Sequence, residues 1–127
     1  MCDVLVIEDD ELVLDVMVQA LEDAGYEVQL AETPAEALRI LQSDEPCHLV
    51  LTDIDLADPM NGFDTVRRAR EVVPDLRAIY YTGRPINWRG HTLAEGERKL
   101  DKPFKLEQLL DAIADLGVQP SRRPAAV

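Results

Sequence analysis

The 127-residue sequence has no apolar run that is long enough to cross a membrane as a helix. Such a helix needs about 18 or more consecutive apolar residues. The start, Met1-Cys2-Asp3-Val4, also lacks the basic head and apolar stretch of a secretory signal. With 46% hydrophobic residues, the chain is long enough for one domain and too short for two of ordinary size. The sequence therefore predicts one globular domain in the cytoplasm.

Positive charge is scarce, with 13 Lys and Arg residues against 25 Asp and Glu residues and a net charge of -12. A surface field of that sign repels nucleic-acid phosphates and anionic lipid headgroups. We therefore expect no direct nucleic-acid partner and no membrane partner. The same field favours a bound cation and partner proteins with basic patches.

Cysteine and histidine are also rare, with two residues of each kind. Cys2 and Cys47 lie beside apolar runs and are interpreted as buried free thiols, which fits a reducing cytoplasm. His48 and His91 have no partner histidine at metal-ligand spacing. Both are interpreted as ordinary residues without a catalytic role.

What the chain does contain is a regular alternation of apolar runs and amphipathic stretches. Strands are predicted at residues 4–7, 27–31, 47–53, 76–82 and 98–101. Helices are predicted at residues 12–24, from residue 34 onward, at 63–73 and at 106–116. This order predicts a doubly wound α/β fold with a five-stranded parallel sheet and helices on both faces.

Two stretches depart from the alternation. In residues 83–97, Pro85, Gly90 and Gly96 interrupt the apolar pattern, so that we expect a fourth helix that is short, irregular or mobile. The domain is predicted to cover residues 1–117, because Gly117 stops the last helix. Residues 118–127 hold two prolines and two arginines and are predicted to be a disordered tail.

Polar side chains follow four of the predicted strands at their carboxyl ends, where ligands bind in such sheets: Glu8, Asp9 and Asp10; Asp53; Thr82; and Lys102. Clustered carboxylates need a cation, and Mg²⁺ is the cation that prefers this donor set. A lysine and a threonine suit the oxygens of a phosphoryl group. Asp53 is the best candidate nucleophile, because it is the lone acid at the end of an apolar strand and can form an aspartyl phosphate.

The order and spacing of these motifs resemble the receiver domains of two-component response regulators, which have the CheY-like variant of this fold. The resemblance covers about residues 3 to 116 and is carried by Glu8-Asp9, Asp53, Thr82-Gly83 and Lys102-Pro103-Phe104. It implies that Asp53 accepts a phosphoryl group from a histidine kinase or a phosphotransfer protein. Such a protein catalyses its own phosphorylation and dephosphorylation and is not a dedicated enzyme.

The same resemblance assigns the other site residues. Asp9, Asp53 and the backbone carbonyl of Asp55 would bind Mg²⁺ directly, and Glu8 would act through a water molecule. Thr82 and Lys102 would bind the phosphoryl oxygens, and the Lys102-Pro103 peptide is expected to be cis, as in similar proteins. Asp10 lies outside the matched pair and is expected at most to support the ligands.

The sequence also departs from the family, since Lys99 stands where similar domains have an aromatic switch residue. Tyr80 and Tyr81 could substitute but are interpreted as packing residues. We therefore hypothesise that activation changes the order of residues 83–97. Asp55 and Arg84 are hypothesised to form an ion pair that shields or orients the hydrolytic water and so sets the lifetime of the phosphoryl group.

Several alternatives stay open at this stage. Asp53-Ile54-Asp55 resembles the motif of haloacid-dehalogenase-like phosphatases, although there the motif lies on the first strand of a longer domain. A second alternative is a receiver used as a binding module without phosphorylation. Since no output domain follows residue 117, the chain is expected to signal to an unknown protein target or to drain phosphoryl groups as a sink. Trp88 is a candidate partner anchor or a packing residue.

Overall fold

The computed structural model describes residues 2–122, in which five strands alternate with four α-helices. The strands are β1 (Cys2–Ile7), β2 (Val28–Ala31), β3 (Cys47–Asp53), β4 (Arg77–Thr82) and β5 (Glu97–Asp101). The helices are α1 (Glu11–Asp23), α2 (Pro34–Leu41), α3 (Gly62–Ala69) and α4 (Leu106–Asp115). No helix in residues 2–122 is long and apolar enough to cross a membrane.

All strand pairs are parallel, and the strand order is β2-β1-β3-β4-β5. Strand residues alternate between two apolar layers, so that Val4 and Val6 pack on one face and Leu5 and Ile7 on the other. Helices α1 and α4 cover the first face, and α2 and α3 cover the second. The predicted doubly wound fold is confirmed.

Local sequence signals explain where the helices begin and end. Thr33 accepts a hydrogen bond from the Glu36 N–H and so caps α2, with Pro34 as its first residue. Helix α3 ends at Ala69, earlier than the predicted residue 73, and the chain then turns before Pro74. A proline disfavours helical backbone in the residue before it, which favours this turn.

The crossover between β4 and β5 differs from the other three. Residues 83–96, which we call the connecting segment, contain a single 3-10 turn at Pro85–Trp88 and no α-helix. The Trp88 indole N–H donates to Asp101 at 2.7 Å, and the His91 ring stacks on Phe63 with 3.7 Å between ring centroids. The expectation of a short or irregular element in this crossover is thus confirmed, and both rings have local packing contacts.

The interpretation of the cysteines as free thiols is wrong, so they do not support the expected reducing cytoplasm. Cys2 and Cys47 are partners in the β1–β3 register and form a disulfide, with 4.5 Å between their Cα atoms. Each cysteine lies in its own apolar run, 45 residues from the other. The pairing therefore depends on the adjacency of the first and third strands, which local sequence patterns do not contain.

The tail also differs from the expectation. The sequence predicts disorder over residues 118–127, but residues 118–122 pack against the sheet. The hydroxyl of Ser121 donates to the carboxylate of Asp3 at 2.6 Å, and its backbone N–H donates to the same oxygen at 3.1 Å. The rest of the predicted tail, residues 123–127, lies outside the described residues.

Candidate functional site

The carboxyl ends of four strands bring most of the expected site residues together. Lys102, which follows β5, places its ammonium 3.0 Å from a carboxylate oxygen of Asp53, the last residue of β3. The same ammonium lies 3.7 Å from an oxygen of Glu8, which follows β1. A lysine on one edge strand thus bridges two acids from the middle of the sheet, because parallel strands end at a common edge.

Glu8 is the most buried acid of the site, with 1% of its surface exposed. The Tyr81 hydroxyl donates to it at 2.9 Å, and the Asp10 N–H donates at 3.2 Å. Desolvation outweighs these hydrogen bonds and raises the pKa of Glu8 above its usual value. Burial and the charge of Glu8 also raise the pKa of Tyr81, so the phenol stays protonated and remains a donor.

Lys102 stays charged in this setting. Desolvation alone would lower its pKa, but the hydrogen bond and charge of Asp53, together with the charge of Glu8, raise the pKa above its usual value. The ammonium also lies 5.0 Å from the centre of the Tyr81 ring. The expected cis peptide between Lys102 and Pro103 is confirmed.

Asp53 is held by two contacts and is 6% exposed. One carboxylate oxygen accepts from the Asp55 N–H at 2.8 Å, and the other meets Lys102. Gly62, to which the sequence analysis assigned no role, starts α3 close to this strand end. A Cβ atom at Gly62 would lie 2.5 Å from the backbone oxygen of Asp53, so only glycine fits there.

The other two acids after β1 have separate contacts. Asp9 accepts a hydrogen bond from the Ala57 N–H at 2.6 Å. Asp10 caps α1 by accepting from the Leu12 N–H at 3.0 Å, and the Asp10 N–H supports Glu8. Asp10, which the sequence places outside the expected metal ligands, serves in the structure as the N-cap of α1.

The donors around Asp53 suit Mg²⁺, which takes one or two carboxylates and keeps several water molecules. In the described part of the chain, no three His, Cys, Asp or Glu side chains are already arranged to hold a metal ion. The Asp9 carboxylate is engaged with Ala57. The donor set therefore fits the metal by its chemistry, and the Asp9 carboxylate keeps lone pairs for a metal beside this hydrogen bond.

The Thr82 hydroxyl contacts Asp55 and Arg84. It donates to an Asp55 carboxylate oxygen at 2.9 Å and accepts from the Arg84 N–H at 3.0 Å. The Arg84 guanidinium lies 3.8 Å from Asp55, so the hypothesised ion pair is present and solvent-exposed. Sequence reasoning missed Asn87, whose amide contacts both Asp55 and Thr82. The available signal was a polar residue five positions after Thr82.

The two tyrosines of β4 are packing residues, as interpreted from the sequence. Tyr80 is 3% exposed and donates to Glu97 at 2.7 Å, whereas Tyr81 is fully buried against Glu8. Lys99 holds its ammonium 5.3 Å from the centre of the Trp88 ring. Each tyrosine hydroxyl is thus engaged with a buried acid.

A five-stranded parallel sheet with an acidic pocket, a strand-end aspartate and a lysine defines a receiver, and the chain belongs to the response regulator receiver domain family, which it matches over residues 4–114. Response regulator receiver protein CpdR of Brucella abortus (strain 2308) is 38% identical over 112 residues, covering 87% of this chain and 92% of CpdR. Because the chain belongs to this family, we set aside the alternative of a haloacid-dehalogenase-like phosphatase.

Longer relatives contain the same unit as one part of their chains. The DNA-binding transcriptional regulator NtrC of Rhizobium meliloti (strain 1021) is 31% identical, and the match covers 96% of this chain but 25% of NtrC. Response regulator MprA of Mycobacterium ulcerans (strain Agy99) is 36% identical, with 84% of this chain and 46% of MprA covered. The chain therefore spans a quarter of NtrC and about half of MprA.

Solved structures show the same architecture. A response regulator receiver protein from Sinorhizobium medicae WSM419 has a TM-score of 0.81 and 29% identity, covering 91% of this chain and 93% of the other. Vibrio cholerae chemotaxis protein CheY4 has a TM-score of 0.74 and 26% identity, with 91% and 98% covered. The protein thus has the CheY-like receiver fold.

Proposed function

We propose that the protein accepts a phosphoryl group on Asp53 from a phosphohistidine of a histidine kinase or phosphotransfer protein. The observation that carries this proposal is the carboxylate of Asp53 at the strand edge, bonded to Lys102 and next to Glu8. A carboxylate beside a fixed cation is suited to act as the nucleophile in phosphoryl transfer. The protein promotes its own phosphorylation and hydrolysis and is not a dedicated enzyme.

In the transfer step, a carboxylate oxygen of Asp53 forms a bond to phosphorus. The bond between phosphorus and the donor's imidazole nitrogen breaks, and its electron pair returns to that nitrogen. Lys102 neutralises charge on the phosphoryl oxygens, and the Thr82 hydroxyl donates a hydrogen bond to one of them. Both groups therefore stabilise charge that develops during transfer.

Mg²⁺ is the proposed cofactor, held by Asp9, Asp53 and the Asp55 carbonyl, with Glu8 acting through water. When bound, Mg²⁺ supplies positive charge that offsets the phosphoryl oxygens. The Ala57 N–H takes one lone pair of the Asp9 carboxylate, which keeps others for the metal. We expect the Asp9→Asn variant to need a much higher Mg²⁺ concentration for phosphorylation than the wild-type protein.

The surface beside Lys102 suits the phosphohistidine-bearing helix of a donor protein. An apolar groove of about 460 Å³ lies between α1 and α4 and reaches Lys102. Val16 on its rim is 64% exposed. An amphipathic helix that lays its apolar side in this groove would bring its histidine close to Asp53.

The phosphorylated form is proposed to bind a protein target or to serve as a phosphate sink in the cytoplasm, where histidine kinases are supplied with ATP. Net charge alone predicts a basic partner. However, ten of the 13 Lys and Arg residues lie between residues 67 and 105, with only five of the 25 acids. We therefore expect a target that contacts the connecting segment, where Arg84 and Arg89 are exposed, to present acidic groups there.

Intact mass spectrometry after incubation with acetyl phosphate and Mg²⁺ tests the proposed acceptor. The wild-type protein should gain one phosphoryl group, and the Asp53→Asn variant should gain none. A metal chelator should prevent the gain in the wild-type protein. No adduct on a folded wild-type protein from several donors would instead favour the phosphorylation-independent binding module.

A second experiment separates donor docking from chemistry. The Val16→Asp variant should slow transfer from a phosphorylated histidine donor by about tenfold while leaving the rate with acetyl phosphate unchanged. Val72→Asp, at a residue that is 47% exposed and outside the groove, is the matched control. Equal donor rates for both variants would contradict docking in the groove.

A further inference from the structure

Asn87 lies at the junction between the phosphoacceptor site and the connecting segment. Its side-chain nitrogen is 2.9 and 2.8 Å from the two carboxylate oxygens of Asp55 and 2.9 Å from the Thr82 hydroxyl oxygen. An amide nitrogen carries two hydrogens, so it can serve Asp55 and Thr82 together. Asn87 is the third residue of the 3-10 turn Pro85–Trp88.

These contacts fill the hydrogen-bonding capacity of Thr82. The hydroxyl has one hydrogen, which it gives to Asp55, and two lone pairs, which face the Arg84 N–H and Asn87. Lys102 and the Asp55 N–H are the hydrogen-bond donors to the Asp53 carboxylate among residues 2–122. The Thr82 hydroxyl is therefore fully engaged with Asp55, Arg84 and Asn87, and a bond to a phosphoryl group on Asp53 would have to replace one of these contacts.

The 3-10 turn has few other contacts that hold it to the domain near the site. No side chain caps its start at Arg84, and the Ile86 side chain is 60% exposed. Its far end is held by the indole of Trp88, which donates to Asp101. Arg84, just before the turn, also contacts Thr82 and Asp55. Within Pro85–Trp88, Asn87 is the residue whose side chain bonds to both.

We propose that Asn87 is a positioning residue that couples the Thr82 hydroxyl to the order of the connecting segment. This inference rests on the proposed phosphorylation of Asp53. When a phosphoryl group on Asp53 attracts the hydroxyl, Thr82 leaves Asp55 and Asn87, and the 3-10 turn loses part of its attachment. Similar domains have an aromatic switch residue at the position of Lys99. In this chain, the hydrogen bond of Asn87 would link Thr82 to the connecting segment instead.

Two effects of the Asn87→Ala variant follow. Without the amide, Thr82 gives up fewer contacts on turning to Asp53, so the affinity for beryllofluoride with Mg²⁺, a mimic of the phosphoryl group on Asp53, should rise by about two- to tenfold. The connecting segment of the variant should also no longer change its order when beryllofluoride binds. Amide hydrogen exchange of residues 85–91 should speed up on beryllofluoride binding in the wild-type protein and stay unchanged in the variant.

Two comparisons make the test specific. Ile86→Ala, which alters an exposed side chain of the same turn, should keep the wild-type affinity and the wild-type exchange response. In a Thr82→Ala background, Asn87→Ala should change the affinity by less than about twofold, because the contact that it removes is already gone. If Asn87→Ala only loosened the turn, amide hydrogen exchange would change, but the effect on beryllofluoride affinity would not depend on Thr82.

The outcomes separate the two proposals. Wild-type affinity in Asn87→Ala, or a segment that still responds to beryllofluoride in that variant, would overturn the role of Asn87 while leaving phosphorylation of Asp53 intact. A wild-type protein that forms no adduct with beryllofluoride or acetyl phosphate would overturn the proposed function, and the role of Asn87 with it.

Discussion

The two ends of the sheet are held by different kinds of contact. At the amino ends of β1 and β3, a disulfide joins Cys2 to Cys47, and the buried Asp3 accepts hydrogen bonds from Glu27 and Ser121. At the carboxyl ends, Lys102 and its acidic neighbours are linked by hydrogen bonds and ion pairs alone.

Because of this difference, we expect the amino end to contribute mainly to folding stability and the carboxyl end to change on phosphorylation. A covalent bond and a satisfied buried carboxylate have no alternative partners, so the amino end stays the same when the site changes. Hydrogen bonds such as the one from Thr82 to Asp55 can be exchanged for bonds to a phosphoryl group at little net cost. We therefore expect substitutions at one end to affect stability and substitutions at the other end to affect phosphorylation.

The largest expected effect is on the rate of phosphorylation in Lys102→Ala. The variant removes the cation that lies 3.0 Å from Asp53, and the rate with acetyl phosphate should fall by roughly a hundred- to thousandfold. Lys105→Ala, at an exposed lysine three residues later, is the matched control and should keep the wild-type rate. Comparable rates for the two variants would remove Lys102 from the mechanism.

The disulfide should dominate stability at the amino end. Closing a loop with a sequence separation of 45 residues is worth about 3–4 kcal/mol in the unfolded-chain entropy account. Denaturant unfolding should therefore show Cys47→Ala, or the reduced protein, to be less stable by about that amount. Its phosphorylation rate under native conditions should be unchanged. Two free thiols in the purified, non-reduced protein would contradict the bond.

A smaller effect on stability is expected for Ser121→Ala. The variant removes the hydroxyl that donates to the buried Asp3 at 2.6 Å, while the backbone N–H donors of Glu27 and Ser121 remain. The free energy of unfolding should fall by about 1–2 kcal/mol. The exposed neighbour substitution Gln119→Ala serves as control, and equal unfolding curves for both variants would indicate that the tail contact contributes nothing.

The smallest effect is expected for Arg84→Ala at the carboxyl end. The ion pair with Asp55 spans 3.8 Å and is exposed, so its loss should change the dephosphorylation rate by only about two- to fivefold. We expect faster hydrolysis, because a side chain that shields the attacking water is removed. A time course of phosphoryl loss, with Arg89→Ala as the control, measures this. A slower or unchanged rate would contradict shielding.

The sequence predicted the doubly wound fold well, because buried strands and capped helices leave local patterns. Asp53 and Lys102 could be identified because parallel strands bring their carboxyl ends to one edge. By contrast, the Cys2–Cys47 bond depends on strand neighbours, and the contacts of Asn87 depend on the path of a segment without periodicity. Net charge is a coarse guide to partners, since it averages an acidic first half and a basic region from residue 67 to residue 105.

The central claim is that chemistry at Asp53 is transmitted to the connecting segment, and the fluorescence of Trp88 tests it most directly. Trp88 is the single tryptophan of the chain and lies in that segment, with its indole bonded to Asp101. Emission should change when beryllofluoride and Mg²⁺ are added to the wild-type protein and stay constant in Asp53→Asn. Unchanged emission in a wild-type protein whose adduct is verified by intact mass would contradict the account.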